Sequence, residues 1–259
     1  MKRALVTGAG QRLGRAMALY LGSRGFDIAV HYASSREGAE QVVAELEAMG
    51  RRAVAVQADL LELDAMEQLL PNAVEALGGQ VTCLVNNASI FEYDTIETAT
   101  AQSWDRHINS NLRAPFVLTQ AMATQGLEPT TDTAGEPVAS GLVVNMLDQR
   151  VRKLTPEFMT YTLAKMGLWA LTQTTAQALA PAIRVNAIGP GPTLQGSRQS
   201  QAHFDGQRAA TVLGRGANPS DITAALSYFL DAPAVTGQLL CVDGGQHLGW
   251  QTPDVLGVE

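Results

Sequence analysis

Two cysteines and four histidines in 259 residues leave little material for a disulfide framework or a metal centre. Cys83 and Cys241 both fall in apolar, strand-like runs and read as buried free thiols in a reducing, cytoplasmic setting. His107, His203 and His247 are scattered, form no ligand spacing such as His-Glu-x-x-His, and read as surface or loop residues, so no metal is implied. Net positive charge is missing as well. At a formal charge of −7 and a pI near 5.1 the chain has no general attraction for nucleic acid or an anionic membrane, and neither partner is expected. No apolar run approaches the roughly 18 residues that suggest a membrane span, and no charged segment leading into an apolar stretch reads as a signal peptide. There is no internal repeat and no low-complexity tract.

What the chain does have is a regular alternation of short apolar strands and amphipathic helical patterns, in a composition that is 46% hydrophobic. Strands are expected at 4–7, 27–32, 53–57, 81–86, 142–146, 183–188 and 239–242. Helices are expected at 15–24, 36–49, 64–77, 100–123, 156–179 and 220–230. Strands that each lead through a helix to the next imply βαβ crossovers and a parallel sheet covered on both faces. The fold class is therefore α/β, a doubly wound seven-stranded parallel sheet forming one domain over 1–259. Gln125 to Ser140, rich in Thr, Pro, Gly and acids, reads as an exposed loop. Gly189 to Arg215 carries Pro190, Gly191 and Pro192 and a polar helix-like segment; its part from Thr193 to Leu213 reads as a lid.

Two constellations carry chemistry. Ala4 to Thr7 runs straight into Gly8-Ala9-Gly10-Gln11-Arg12-Leu13-Gly14 and then a helix, the arrangement in which a glycine turn and a helix N-terminus cradle phosphate. Tyr161 and Lys165 stand four apart, on one face of a helix, so an ammonium can sit beside a phenol and favour its ionised form. Asp148 precedes that tyrosine by thirteen residues.

With Thr7-Gly8 through Gly14, Asn86-Asn87-Ala88, Tyr161-x3-Lys165 and Pro190-Gly191 in this order, the chain resembles the short-chain dehydrogenase/reductase family over nearly its whole length. The resemblance implies a Rossmann-like homo-oligomer, often a tetramer, that transfers hydride from a nicotinamide cofactor. It implies that Tyr161 is the proton donor, that Lys165 holds the nicotinamide ribose and tunes Tyr161, and that Asn111 supports a proton-relay water. Asp59 would take the adenine amino group, beside Leu60. Gly8, Arg12, Leu13 and Gly14, then Asn87, Ala88 and Ser89, then Pro190, Gly191 and Thr193 would line the cofactor groove.

Two departures narrow the resemblance. Arg12 stands where the common turn has its second glycine, and Asp148 stands where most members carry a serine that donates to a substrate carbonyl. An ionised aspartate cannot donate and would repel a developing oxyanion, whereas a carboxyl linked to Tyr161 suits proton delivery to a ring nitrogen. Both substitutions resemble the pteridine reductases and the related dihydromonapterin reductases. In that comparison Phe91 stacks a pterin against the nicotinamide, and Arg12 serves the pyrophosphate and the heterocycle. Substrate contacts are thus expected at Arg12, Ser89, Phe91, Asp148 and Tyr161. The end of the second strand, His31-Tyr32-Ala33-Ser34-Ser35-Arg36, has no acid to grip a ribose 2′-hydroxyl, which favours NADPH. His31, Tyr32, Ser34 and Ser35, with Arg36 nearby, are the expected surroundings of its 2′-phosphate. The expected activity is NADPH-dependent reduction of a 7,8-dihydropterin, such as dihydromonapterin, dihydrobiopterin or dihydrofolate, to the tetrahydro form. A carbonyl reductase acting on 3-oxoacyl thioesters and a non-catalytic NADPH-binding sensor are the alternatives. Trp250, in the tail, is a candidate to reach a neighbouring subunit's pocket.

Overall fold

The computed structural model describes residues 2–196 and 199–252. Seven strands, β1 (Arg3–Val6), β2 (Asp27–Tyr32), β3 (Ala53–Gln57), β4 (Cys83–Asn86), β5 (Gly141–Met146), β6 (Ile183–Pro190) and β7 (Leu239–Val242), form one sheet in the order β3-β2-β1-β4-β5-β6-β7. Every neighbouring pair is parallel. The strand order reverses between β1 and β4, so the crevice beyond their carboxyl ends is the place where such a sheet binds ligands.

Period-two alternation along each strand builds a core on both faces. In β1, Ala4 and Val6 point to one side and Leu5 to the other. The first side packs against Met17 and Leu21 of α1 (Arg12–Ser23), Val42 and Leu46 of α2 (Arg36–Ala48), and Ile222, Leu226 and Phe229 of the last helix, Pro219–Asp231. The second packs against Met66, Leu69 and Leu70 of α3 (Leu63–Leu77) and against Leu118 and Met122 further along. Main-chain donors and acceptors of the five inner strands are taken up by neighbours on both sides, which leaves the loops at the carboxyl edge to carry polar chemistry.

The helix expected over 100–123 is interrupted. It divides into α4 (Ala101–Ile108), a π-helical turn at Asn109–Arg113, and α5 (Ala114–Ala123). Hydrophobic periodicity cannot distinguish this widened turn from an α-helix, and such turns often sit at functional sites. The expected loop 125–140 contains a small antiparallel hairpin, Thr130–Thr131 with Pro137–Val138. The remaining helices are α6 (Met159–Ala178), α7 (Gln201–Ala209) and α8 (Pro219–Asp231). Of the expected lid over 193–213, Ser197 and Arg198 lie outside the described residues. Among the described residues no helix is long and apolar enough to cross a membrane, and no group of His, Cys, Asp or Glu is placed to hold a metal ion. Cys83 is buried and Cys241 half-buried; burial pushes the Cys83 thiol up to about 12.

Candidate active site

The glycine turn after β1 is shaped by two close approaches. Gly8 adopts φ +62°, and a Cβ on Gly14 would stand 2.1 Å from the Gly8 carbonyl oxygen, so only glycine lets α1 begin this near the strand. No side chain caps α1, whereas Thr100 caps α4 and Ser200 caps α7. The first-turn amides of α1 thus face the crevice with the positive end of the helix dipole behind them, as an anionic ligand requires. Thr7 and Asn87 fasten the crevice floor: the Asn87 and Ala88 amides donate to Thr7 Oγ1 (2.8 and 2.9 Å), and Asn87 Nδ2 donates to the Thr7 carbonyl (2.8 Å).

Arg12 is held at φ +52°, the region usually left to glycine, at a cost of about 1–2 kcal/mol. Its guanidinium donates from Nη1 to the Gln195 carbonyl (2.9 Å) and from Nη2 to the Leu194 carbonyl (3.1 Å). The glycine turn is thereby tied to the base of the expected lid, 182 and 183 residues away in sequence. Sequence reasoning placed Arg12 at the cofactor and heterocycle; its partners here are the lid carbonyls, because its left-handed backbone aims the side chain across the mouth of the crevice.

The structure corrects the role given to His31. It is 1% exposed; the Gly8 amide donates to its Nδ1 (3.0 Å), so Nε2 carries the proton and donates to the Ala58 carbonyl (3.1 Å). With both ring nitrogens engaged beneath the turn, His31 supports the crevice from below and is withdrawn from a 2′-phosphate. Burial lowers its pKa from 6.5 to about 4. Between those values the unfolded chain binds a proton that the folded chain refuses, so stability is complete above pH 6.5 and is lost as pH falls toward 4, by about 3 kcal/mol in all. Urea melts should therefore show the parent losing more stability on acidification than His31→Gln; parallel losses would place the acid sensitivity elsewhere.

Tyr32 and Leu60 are likewise buried side chains, each 6% exposed. Ser34 and Arg36 are exposed and Ser35 half-buried, free of any acid between 32 and 36. Asp59 is exposed beyond β3, where its Oδ1 accepts from the Leu61 amide. Across the crevice, Thr193 is buried, and its hydroxyl donates to the Gly191 carbonyl (3.0 Å) just after Pro190.

At the end of β5 and the start of α6 the structure brings Asp148, Tyr161, Lys165, Ser89 and Phe91 together. The Tyr161 hydroxyl donates to Asp148 Oδ2 (3.0 Å), and the Arg150 amide donates to Asp148 Oδ1 (2.8 Å). Lys165, 2% exposed, donates from Nζ to the Met146 carbonyl (2.7 Å), which leaves two ammonium protons without a protein acceptor among the described residues. Burial lowers Lys165 to about 8, against the opposing pull of Asp148. Tyr161 moves the other way from the sequence expectation. Burial and the Asp148 carboxylate push the phenol well above its usual value, and only Arg150 and the Ser89 hydroxyl oppose them. The ammonium lies 5.6 Å from the centre of the Tyr161 ring and is engaged by a carbonyl, whereas Asp148 touches the phenol directly.

Asn111, in the π-helical turn, is fully buried and closes a two-point contact with Ile90: its Oδ1 accepts from the Ile90 amide (2.9 Å) and its Nδ2 donates to the Ile90 carbonyl (2.8 Å). Its side chain therefore fixes the segment between Ser89 and Phe91. Phe91 stacks on Phe158 at 4.3 Å and 7°, and meets Tyr161 edge-on at 4.7 Å. Phe158 was missed from sequence. Like Arg12, it is a non-glycine residue at positive φ (55°), and it starts α6 without capping it.

The missing cap comes from Asp94. This residue is 2% exposed; its Oδ1 accepts from the Thr160 amide (3.1 Å), and its Oδ2 accepts from the hydroxyls of Thr160 and Ser103. Burial would raise its pKa, but these bonds outweigh it and hold the carboxyl below its usual value. His107 continues the chain. The Glu92 amide donates to its Nε2 (3.1 Å), so Nδ1 bears the proton and donates to Thr160 Oγ1 (2.7 Å), while the ring lies 5.9 Å from that of Tyr161. The sequence reading put His107 on the surface; it is fully buried, and burial lowers its pKa. His247 is no free surface residue either, since its Nδ1 lies 2.7 Å from Asp243 Oδ2. Trp250 is 61% exposed on the tail.

The family model for short chain dehydrogenases matches residues 2–205. A 3-oxoacyl-[acyl-carrier-protein] reductase FabG from Staphylococcus epidermidis is 32% identical, covering 95% of this chain and 99% of its own. Among solved structures, FolM alternative dihydrofolate reductase 1 from Brucella suis, in complex with NADP, is 40% identical with a TM-score of 0.90 and 98% of each chain covered. A short chain dehydrogenase from Burkholderia cenocepacia, also in complex with NADP, is 32% identical with a TM-score of 0.84, covering 95% of this chain and 97% of the other.

Proposed function

Since the chain belongs to the short-chain dehydrogenase/reductase family, we propose that it is an NADPH-dependent oxidoreductase that reduces a pterin, a 7,8-dihydropterin to its tetrahydro form. The observation that carries the pterin reading is the hydrogen bond from Tyr161 to Asp148. A site for ketones needs donors where an oxyanion develops, and here the position beside the phenol holds a carboxylate that can only accept. A ring nitrogen makes the opposite demand, for a proton source and no oxyanion hole. The likeness to the NADP-bound FolM alternative dihydrofolate reductase points the same way.

The residues present fit the cofactor. The uncapped turn from Gly8 to Gly14 would hold its pyrophosphate, Lys165 would donate its two remaining protons to the nicotinamide ribose, and the acid-free stretch from Ser34 to Arg36 leaves room for a 2′-phosphate. When bound, NADPH supplies the hydride. Phe91 offers a flat face that orients a heterocycle, Tyr161 holds the proton for the nitrogen next to the reduced carbon, Asp148 orients that hydroxyl by accepting from it, and solvent returns the proton after turnover. The raised pKa keeps the phenol protonated in the free protein, and the proton is released only when a basic nitrogen takes the place of Asp148 as its acceptor.

The FabG relative favours a second reading, reduction of a 3-oxoacyl thioester, and Asp148 opposes it. NADPH oxidation measured with 7,8-dihydrobiopterin, dihydromonapterin and dihydrofolate, beside 3-oxoacyl thioesters and simple ketones, decides between them. Turnover of dihydropterins alone is expected; turnover of ketones alone would overturn the proposal.

A further inference from the structure

Three of the four residues from Arg150 to Lys153 are cationic, in a chain whose formal charge is −7. Among the described residues none of Arg150, Arg152 and Lys153 takes part in an ion pair. Arg152 lies over the Trp169 ring at 5.6 Å, away from the reacting groups. Arg150 differs from its neighbours in being both fixed and close to Tyr161. Its amide is bound by Asp148 Oδ1, its Nη1 donates to Thr155 Oγ1 (2.6 Å), and its guanidinium carbon sits 4.7 Å over the ring of Phe158, the ring that stacks on Phe91. It is near enough to Tyr161 for its charge to act on the phenol. Among the described residues only one of the guanidinium's N–H groups is engaged, through Nη1, which leaves the Nε and Nη2 donors to grip a carboxylate in a fork.

From the reacting phenol outward the site therefore presents an aromatic face and then an unpaired planar cation. A ligand matching that order has a flat heterocycle, a further planar group and a carboxylate. We infer that Arg150 is a specificity-determining residue that binds the carboxylate of a substrate's tail, so that the enzyme prefers dihydropterins bearing an aroyl-glutamate tail to those with short neutral side chains. This inference rests on the pterin reading above and adds the substrate class within it. The exposed charges of Arg152 and Lys153 add a general attraction for an anionic tail, a contribution that salt screens.

The experiment measures kcat/KM for 7,8-dihydrofolate and for 7,8-dihydrobiopterin in the parent, Arg150→Gln and Arg150→Lys, and reads the ratio of the two, which cancels any effect on their shared chemistry. The ratio should fall about tenfold in Arg150→Gln, through the KM for dihydrofolate, and by less in Arg150→Lys, which keeps the charge but loses the fork. A second measurement needs no variant: p-aminobenzoylglutamate, the tail alone, should inhibit the parent, and more weakly as salt rises. A ratio that changes by less than about twofold, or a tail that does not inhibit, overturns the assignment. If the parent turns over neither dihydropterin, the pterin reading itself has failed, and this is seen before any variant is made.

Discussion

Tyr161→Phe should lower kcat for the accepted substrate by about a thousandfold or more, within the range that a positioned general acid supplies, while the Kd for NADPH stays within about threefold. The asymmetry follows from what the hydroxyl touches. Its oxygen is bonded to Asp148 and lies beside Ser89, so its loss removes the proton held for the substrate. The phenyl ring that remains still packs edge-on to Phe91 and near His107, so α6 and Lys165 keep their places. The anion-binding turn lies on another element, the start of α1. Fluorescence titration with NADPH beside single-turnover kinetics separates the two quantities. A variant that binds NADPH and reduces substrate near the parental rate removes Tyr161 as the acid; one that has lost NADPH binding means that the ring, not the hydroxyl, was the important part.

The parts of this molecule that could be read in the sequence are those whose cause is local. Strand and helix positions follow from apolar periods of two and of 3.6, and all seven sheet strands lie where those periods place them, β2, β3 and β7 to the residue. Tyr161, Lys165 and Asp148 come together because a four-residue step on a helix and the end of a neighbouring strand leave them little choice. What could not be read depends on contacts between distant segments. His31 looked available because a polar residue near the end of β2 ordinarily faces the crevice; the amide of Gly8 and the carbonyl of Ala58 turn its ring inward. His107 looked like a surface residue because its helix is polar, yet Thr160, more than fifty residues later, makes it a buried member of a hydrogen-bond chain. Asp94 carries no motif at all. Its role exists because Phe158 adopts a left-handed backbone and leaves α6 uncapped, and sequence spacing does not encode that. The pKa of Tyr161 belongs to the same group: the i,i+4 ammonium was legible, while the burial and the direct carboxylate contact that dominate it were not.

Asp148→Ser tests the reading at its most specific point, and two changes in opposite directions are expected. Reduction of the dihydropterin should fall by about a hundredfold, since the acceptor that holds the Tyr161 hydroxyl in place is gone, an effect of the size that positioning a general acid supplies. Reduction of ketones should appear or rise, because a serine hydroxyl donates where the carboxylate could only accept. The pH dependence gives a third readout with a definite sign. Asp148 is, after burial, the main influence that raises the phenol's pKa, so its removal must bring that pKa down. Turnover that needs a protonated Tyr161 would then fail at a lower pH in the variant than in the parent, and the basic limb of the rate profile should move toward neutrality. The same substitution frees the Arg150 amide from Asp148 Oδ1, but a serine oxygen at this position can still accept from it, so the short helical turn after β5 should persist. A variant that keeps dihydropterin reduction, gains no ketone activity and shows an unmoved basic limb would reduce Asp148 to a cap for that turn. Loss of dihydropterin reduction with the basic limb moved and ketone reduction gained would identify the carboxylate as the group that turns a carbonyl-reducing site into one for ring nitrogens.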